Sequence, residues 1–298
     1  MSTNPRPTTP ATTATAAATT TTVVIGGTGT TGHRVAAGLT QLGQPVRIGS
    51  RRADPPFEWS DPTTWAPVLT GAGAMYIAYS PDLAAPGAGD TVVALTNVAA
   101  EHGVRRLVLL SGRGESRAQA AEAAVGAAAD AAGVAWTVVR SAWFAQNLSE
   151  NFLLPMVLDG VIALPAGDVG EPFVDVDDVA AVAVAALTED GHDGQVYEVT
   201  GLRLVTFADL AAELTAAVRR PITYLPVTPA EFVAGAIDHG VPTAEAEMLG
   251  ELFAEILDGH NSHLTDGVVR ALGRQPRDIG DYIAQTATTG VWNVEARV

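Results

Sequence analysis

The feature that most constrains this chain is a glycine-rich turn that directly follows a short apolar run. Residues 23–25 are Val-Val-Ile, and residues 26–32 read Gly-Gly-Thr-Gly-Thr-Thr-Gly. Glycines at this spacing permit a tight turn, let the backbone approach a pyrophosphate and allow the following helix to pack on the strand. The N-terminus of that helix then offers free N–H groups to an anion. The pattern therefore predicts a strand, turn and helix that bind a dinucleotide.

Short apolar runs alternate with helical patterns along the first half of the chain. The later runs lie at residues 45–49, 74–78, 107–110 and 136–139, and helical patterns lie at 90–102 and 116–132. Continuous rather than alternating apolar residues are typical of strands that are buried on both faces of a parallel sheet. Strands joined by helices through right-handed crossovers predict an α/β fold with a doubly wound parallel sheet, the Rossmann fold.

Composition divides the chain into three segments. Residues 1–21 are almost all Thr, Ala and Pro, with too little side-chain bulk to bury a core, so we expect a disordered tail. Residues 22–150 hold the glycine-rich turn and are expected to form the dinucleotide-binding domain. Residues 151–298 are expected to form a smaller, mostly helical substrate-binding region, with late elements of the sheet near 172–200.

Helix and strand signals continue in this last segment. Asp177 and Asp178 are expected to cap a helix through 179–187, and residues 195–199 are expected to form a late strand. Thr228, followed by Pro at the first helical position and Glu three residues on, predicts another helix start. A further helical pattern covers residues 243–257.

Net charge and missing residue types limit the partners that this chain can bind. The formal charge of −16 over 298 residues argues against nucleic acid and against an anionic membrane surface. The absence of cysteine excludes disulfides and thiolate zinc sites, and no run approaches the roughly 18 apolar residues that cross a membrane. His260 and His263 lack a carboxylate cluster, so no metal site is expected. We expect a cytoplasmic monomer or homodimer that acts on a small molecule.

The residues after the second apolar run distinguish the two nicotinamide cofactors. A site for NAD usually places Asp or Glu there to bind the ribose hydroxyls. This chain has Arg51 and Arg52 instead. Guanidinium groups bind a phosphate in a forked geometry. The alternative is a solvated basic turn, but in a chain this acidic the arginine pair favours NADP(H).

Five further segments carry a resemblance to a known family. They are residues 57–65, 103–112, 140–147, 172–180 and 273–278. With the glycine-rich start and the two arginines, they resemble the NmrA-like atypical short-chain dehydrogenase/reductases over residues 23–293. Within that family the chain looks closest to the agroclavine and festuclavine dehydrogenase branch, and the NADPH-dependent quinone oxidoreductases are more distant.

The resemblance implies a role for residues at matching positions. It implies that Gly26, Thr28, Gly29, Thr30 and Gly32 contact the pyrophosphate, Arg51 and Arg52 the 2′-phosphate, and that Asp61 lies near the adenine. It places Ala78, Tyr79 and Ser80 after a fourth strand, beside the nicotinamide-side ribose. It places Ser111 after a fifth strand. The substrate residues it implies are Trp143, Phe144 and Asn147, which follow a sixth strand, and Phe173, which would close the substrate pocket. Trp143 and Phe144 could instead be core residues.

The chain departs from the wider superfamily at the proton donor. Many short-chain dehydrogenases use a Tyr-x-x-x-Lys pair, but this chain has no lysine, an absence that beside abundant Ala and Arg is typical of GC-rich bacteria. Glu122 resembles the Glu of the helix that carries the pair, and counting back from it gives Ala118 and Gly114. Tyr79 and Ser111 remain as positional catalytic candidates. Ser111 is either a ribose or substrate contact or a strand-end cap.

These observations predict an NADPH-dependent reductase without a Tyr-x-x-x-Lys pair. Iminium ions, quinones and enones accept hydride without leaving the strongly basic alkoxide that demands a proton donor. The expected acceptor is aromatic or polycyclic. Two alternatives stay open: a non-catalytic NADP-sensing regulatory protein, and an isomerase or lyase that retains its cofactor.

Overall fold

Six parallel strands form the central sheet of the computed structural model, which describes residues 20–294. Most of the predicted tail, residues 1–19, lies outside the described residues. The strands are β1 (Thr21–Ile25), β2 (Val46–Gly49), β3 (Ala72–Ile77), β4 (Arg106–Gly112), β5 (Ala135–Ser141), β6 (Val161–Leu164), β7 (Gly170–Glu171), β8 (Gln195–Val199), β9 (Val205–Thr206) and β10 (Thr223–Pro226). The sheet order is β2-β1-β3-β4-β5-β8, so the predicted Rossmann fold is confirmed.

Eleven α-helices connect and cover the strands of the described part of the chain. They are α1 (Gly32–Gln41), α2 (Trp65–Leu69), α3 (Ala88–Glu101), α4 (Ser116–Ala132), α5 (Leu154–Asp159), α6 (Val176–Thr188), α7 (Phe207–Val218), α8 (Pro229–Asp238), α9 (Thr243–Ile256), α10 (Gly267–Leu272) and α11 (Ile279–Ala287). Short 3₁₀ helices cover Pro62–Thr64 and Ala145–Leu148. No described helix has the length and apolar character that a bilayer crossing needs.

Alternate residues of each central strand pack into separate cores on the two faces of the sheet. In β1, Val23 and Ile25 pack with α3 and α4, whereas Val24 packs with α1 and α6. All three side chains are fully buried. Burial on both faces explains the continuous apolar runs of the sequence.

A third core lies beyond the sheet, among the residues that follow β5. Its buried members come from the segment after β5, from α7, from α9 and from α11. Two small two-stranded sheets, β6 with β10 and β7 with β9, complete this region. Strand β8 lies in the six-stranded sheet, and α6 packs against that sheet.

Two details of the sequence reading need correction. The strand before Ala78 is the third of the chain, not the fourth, because residues 53–69 form turns, a 3₁₀ helix and α2; Ser111 is accordingly in the fourth strand, and Trp143 follows the fifth. Helix α6 is capped by Asp175, whose backbone is extended and whose side-chain oxygen accepts the Asp177 N–H. Asp177 and Asp178 therefore lie in the first turn instead. The helix start at Thr228 is confirmed as a reciprocal capping box.

Candidate cofactor and substrate site

The glycine-rich turn leaves no room for side chains at two of its positions. Gly26 has a φ of +78°, and a Cβ there would lie 2.8 Å from the Ala78 carbonyl oxygen. A Cβ on Gly32 would lie 2.2 Å from the Gly26 carbonyl oxygen. Thr28 and Gly29 are exposed at the outer side of the turn. This close packing of β1, the turn and α1 leaves an open backbone surface in front of the helix, which suits a pyrophosphate.

The two arginines follow β2, the strand that pairs with β1. Arg51 and Arg52 are exposed, and neither forms an ion pair or side-chain hydrogen bond with another described residue. The Ser50 carbonyl oxygen accepts hydrogen bonds from Ala53 and Phe57, which fixes the turn that carries them. Asp61, further along, accepts from the Thr63 N–H and hydroxyl and so caps the 3₁₀ helix. The arginines are thus available to a phosphate at the same edge of the sheet as the turn.

A cavity of about 310 Å³ lies at the carboxyl ends of β3, β4 and β5. Parallel α/β sheets bind their ligands at this edge. The lining residues are Tyr79, Pro81, Asp82, Leu83, Leu110, Ser111, Gly112, Arg113, Glu115, Ser141, Ala142, Trp143, Phe144, Asn147, Phe152, Leu252, Phe253 and Ile256. The structure thus brings together five residues that the sequence singled out: Tyr79, Ser111, Trp143, Phe144 and Asn147.

Phe173 is the predicted substrate residue that the cavity does not include. It is 2% exposed and packs edge-on against Trp143, with ring centroids 6.3 Å apart. It therefore supports the cavity wall from behind and does not close the pocket. Ala78 lies against Gly26 and donates its N–H to the Ile25 carbonyl, and Ser80 is exposed beside the cavity.

Two asparagines connect the glycine-rich turn with the cavity. The Asn151 side chain lies 3.4 Å from the Thr30 hydroxyl and 3.3 Å from the amide oxygen of Asn147. Arg34, in the first turn of α1, pairs with Glu150 at 2.6 Å and with Asp177 at 2.8 Å. The segment after β5 is therefore held against the turn, so a molecule bound at the turn would lie next to the cavity.

Aromatic side chains form one wall of the cavity. The Trp143 ring lies 5.9 Å from that of Phe152 and 5.4 Å from that of Phe253. Helix α9 covers the cavity with three of its side chains, Leu252, Phe253 and Ile256. The sequence analysis missed Phe152 and the three residues of α9. The apolar spacing of α9 could have shown that this face is buried, but not what it covers.

Three buried polar atoms of the cavity residues make no hydrogen bond within the described chain. They are Ser111 Oγ, Glu115 Oε2 and Trp143 Nε1. An unsatisfied buried polar group costs about 1–3 kcal/mol, so such groups need an explanation. Because all three belong to residues that line one cavity, a ligand with polar atoms would satisfy them. The Ser111 hydroxyl forms no hydrogen bond with a described backbone group, so it does not cap the end of β4.

Glu115 is the unusual ionisable group of this cavity. It is 7% exposed, and burial, together with the nearby Asp82, Glu255 and Glu122, raises the pKa of its carboxyl to about 8. Arg113 also lines the cavity, but its guanidinium binds Glu198 at 2.6 Å and the carbonyl oxygens of Asn261 and His263. Nothing in the sequence distinguishes Glu115 as a site residue, because a single Glu before a helix is typical of an ordinary first-turn carboxylate.

Counting back four residues from Glu122 within helix α4 gives Ala118, which cannot donate a proton. Glu122 forms a doubly hydrogen-bonded ion pair with Arg140 of β5, at 2.5 and 3.0 Å. Of the five tyrosines, all of which the structure describes, Tyr79 alone lines the cavity. The hydroxyls of Tyr197, Tyr224 and Tyr282 contact His192, Leu164 and Ser149, and Tyr76 is enclosed in the core.

Comparison with known proteins gives the chain its family. No protein-family model matches it. Agroclavine dehydrogenase from Claviceps fusiformis is 30% identical over 286 residues, which cover 90% of this chain and 96% of that protein. The structure of an NADPH-dependent quinone oxidoreductase from Escherichia coli, complexed with NADPH, matches with a TM-score of 0.75 and 22% identity over 89% of this chain and 99% of its own.

A second solved structure has the same architecture. Triphenylmethane reductase from Citrobacter sp., complexed with NADP(H), matches with a TM-score of 0.72 and 19% identity over 90% of this chain and 99% of its own. At these identities the two structures establish the fold. The nearly full-length similarity to the Claviceps protein establishes the family. The chain belongs to the atypical short-chain dehydrogenase/reductases, in a group that includes agroclavine dehydrogenase.

Proposed function

We propose that this protein is an NADPH-dependent reductase of an activated, aromatic or polycyclic small molecule. One observation carries the proposal: a glycine-rich turn with no room for a side chain at Gly26 or Gly32 stands beside a cavity with three unpartnered polar atoms. Both lie at the carboxyl edge of one parallel sheet, where α/β proteins place cofactor and substrate side by side.

The residues present fit a bound NADPH. Gly26, Thr28, Gly29, Thr30 and Gly32 would hold the pyrophosphate, Arg51 and Arg52 the 2′-phosphate, and Ala78, Tyr79, Ser80 and Ser111 the nicotinamide-side ribose, with Asp61 near the adenine. Thr28 and Gly29 are exposed at the turn, and the arginines have no competing carboxylate partner among the described residues. When bound, the reduced nicotinamide supplies hydride to an acceptor in the cavity.

The cavity favours a flat acceptor. Trp143, Phe144, Phe152 and Phe253 offer aromatic surface, and about 310 Å³ is within the range of small-molecule sites. Similar proteins are named for agroclavine, quinones and triphenylmethane. Iminium ions, quinones and enones all accept hydride without forming an unstabilised alkoxide, which fits a helix α4 that lacks the Tyr-x-x-x-Lys pair.

A second candidate function is a cofactor sensor that binds NADP(H) without turnover. The observation that favours it is that Glu122, in the helix where the proton donor usually stands, forms an ion pair with Arg140 of β5. The cavity argues for the reductase, because a sensor has no need of unpartnered polar groups beside the nicotinamide.

The test is NADPH consumption by the purified full-length protein. The acceptors are a naphthoquinone, a cationic triphenylmethane dye, a cyclic iminium ion and, as a control, an unactivated ketone. We expect loss of NADPH absorbance with at least one activated acceptor and none with the ketone. Tight NADPH binding without oxidation would support the sensor. Failure to bind NADPH, or a ketone reductase activity abolished by Tyr79→Phe, would overturn the proposal.

A further inference from the structure

Glu115 holds a carboxyl group against the cavity without using it as a helix cap. It stands at the N-cap position of α4, but its side chain forms no capping hydrogen bond. The carboxyl instead packs on Gly112, where a Cβ would lie 2.0 Å from Glu115 Oε1. The other oxygen, Oε2, is buried and has no described hydrogen-bond partner. The absence of a side chain at Gly112, in β4, therefore makes room for the Glu115 carboxyl beside Ser111.

Acidic groups surround this carboxyl from several elements. Asp82 approaches from the loop after β3, Glu122 from α4 and Glu255 from α9. The cations nearby are already paired, Arg113 with Glu198 and Arg140 with Glu122. His260 lies close to Gly114, in the turn before Glu115, and bonds to Asp258. The surroundings thus oppose a negative charge on Glu115.

Asp82 lines the same cavity as Glu115 and is exposed to solvent at its rim. Its Oδ1 accepts the Ala84 N–H at 2.6 Å, which fixes the carboxyl in the loop after β3. Its negative charge is one cause of the raised pKa of Glu115. With a pKa of about 8, Glu115 carries a proton at neutral pH.

We propose that Glu115 is the proton donor of this enzyme and that Asp82 relays protons to it from solvent. The proposal rests on the reductase function argued above. The Glu115 carboxyl would donate the proton that a Tyr-x-x-x-Lys pair donates in other short-chain dehydrogenases. It lies at the start of α4, on the wall of the cavity.

The step balances as follows for a quinone. The quinone gains hydride from NADPH and becomes a phenolate-type anion, and NADPH becomes NADP⁺. The O–H bond of Glu115 breaks while an O–H bond forms on the quinone oxygen, which gives the neutral hydroquinone. The Glu115 carboxylate then regains a proton from solvent through Asp82. The net reaction consumes one quinone, one NADPH and one proton.

Acceptors fall into two classes, according to whether their reduction requires a proton. A quinone develops negative charge on oxygen and gains from an acid beside it. A cationic triphenylmethane dye or an iminium ion becomes neutral on accepting hydride and needs no proton. Glu115 therefore determines how well the enzyme reduces neutral acceptors and contributes little to the reduction of cationic ones.

The test compares Glu115→Gln with the wild type on a naphthoquinone and on a cationic triphenylmethane dye. We expect kcat for the quinone to fall about a hundredfold, within the usual range for general acids, and kcat for the dye to change less than about threefold. Glu101→Gln, an exposed position at the end of α3, is the matched control. Equal loss on both acceptors would show a structural role for Glu115 and overturn the proposal, as would no loss on the quinone.

The pH profile separates proton donation from positioning. Wild-type kcat for the quinone should fall as pH rises through about 8, and Glu115→Asp should keep such a fall at a reduced rate. Asp82→Asn removes a neighbouring charge, so the fall should move to lower pH. An unchanged profile in Asp82→Asn would overturn the relay.

Infrared spectroscopy provides a readout without turnover. Because Glu171 also has a raised pKa, of about 7, the spectra are compared in the Glu171→Gln background. There the cofactor-free protein at pH 7 should show the absorbance of a protonated carboxyl, which Glu115→Gln should lose and Glu101→Gln should keep. Absence of the band in Glu171→Gln would overturn the proposal. If neither acceptor is reduced by the wild type, the reductase function fails instead, and the proton-donor role fails with it.

Discussion

The side chains of Thr30 and Asn151 lie 3.4 Å apart, which joins the glycine-rich turn to the segment that lines the substrate cavity. Asn151 also reaches Asn147, a residue of the cavity wall. The glycine-rich turn and the cavity wall are therefore joined through one asparagine side chain.

Replacement of Asn151 by Leu should weaken NADPH binding moderately. A neutral hydrogen bond contributes about 0.5–1.5 kcal/mol, so the Kd should rise by up to about tenfold. Fluorescence titration with NADPH measures this change. Asn97→Leu, at an exposed position of α3, is the control. An equal rise of Kd in the control would show that the link to Thr30 has no part in binding.

Replacement of both Arg51 and Arg52 by Ala should reduce the preference for NADPH over NADH. Each charge-assisted hydrogen bond to a phosphate contributes about 1.5–3 kcal/mol, or roughly ten- to a hundredfold in affinity. NADH lacks the 2′-phosphate, so its Kd should change little. Arg105→Ala, just before the amino end of β4, should leave both dissociation constants unchanged. Equal losses for the two cofactors would place these arginines outside the 2′-phosphate site.

Alanine substitutions in the glycine-rich turn should separate folding from cofactor binding. Gly32→Ala places a Cβ 2.2 Å from a backbone oxygen and should lower the melting temperature. Gly29→Ala meets only a contact at 3.4 Å, so stability should be kept while NADPH affinity falls. Gly235→Ala, with open space around it in α8, should not weaken cofactor binding. Normal NADPH affinity in Gly29→Ala would argue against pyrophosphate at this position.

Replacement of Phe152 by Ala should raise the KM for aromatic acceptors several-fold. Phe152 is 41% exposed and packs edge-on against Trp143 and at a tilt against Phe253. Its loss should therefore remove acceptor contacts with little cost to the core. Steady-state kinetics on a naphthoquinone and urea unfolding measure the two effects. Leu225→Ala, which is exposed elsewhere, should change neither. A large loss of unfolding free energy in Phe152→Ala would contradict this interpretation.

Stability should decrease between about pH 4.5 and pH 7 through Glu171. Burial raises the pKa of its carboxyl to about 7, opposed by Arg113 and His260 and assisted by Asp258. The unfolded chain releases this proton near the ordinary value of 4.5 and the folded protein only near 7. In between, the unfolded state binds fewer protons, so the free energy of unfolding falls as pH rises. Urea titrations across this range should show a smaller decrease in Glu171→Gln than in the exposed control Glu247→Gln.

Local sequence determined the Rossmann elements and the cofactor turn. Glycine spacing, apolar runs and the position of Arg51 and Arg52 are properties of neighbouring residues, so they can be read without the fold. The same holds for the capping box at Thr228, whose partners are three residues apart. These signals are short-range because backbone geometry and strand burial depend on adjacent residues.

Tertiary structure alone decided which side chains meet at the cavity. The pKa of Glu115 is raised by burial and by the charges of Asp82 and Glu255. Asp82 belongs to the loop after β3, and Glu255 belongs to α9. Phe253 joins Trp143 only because α9 folds over the sheet edge, and Phe173 is behind that wall rather than in front of it. Burial, charge repulsion and aromatic contacts depend on residues far apart in the chain, and no local pattern of the sequence encodes their distances.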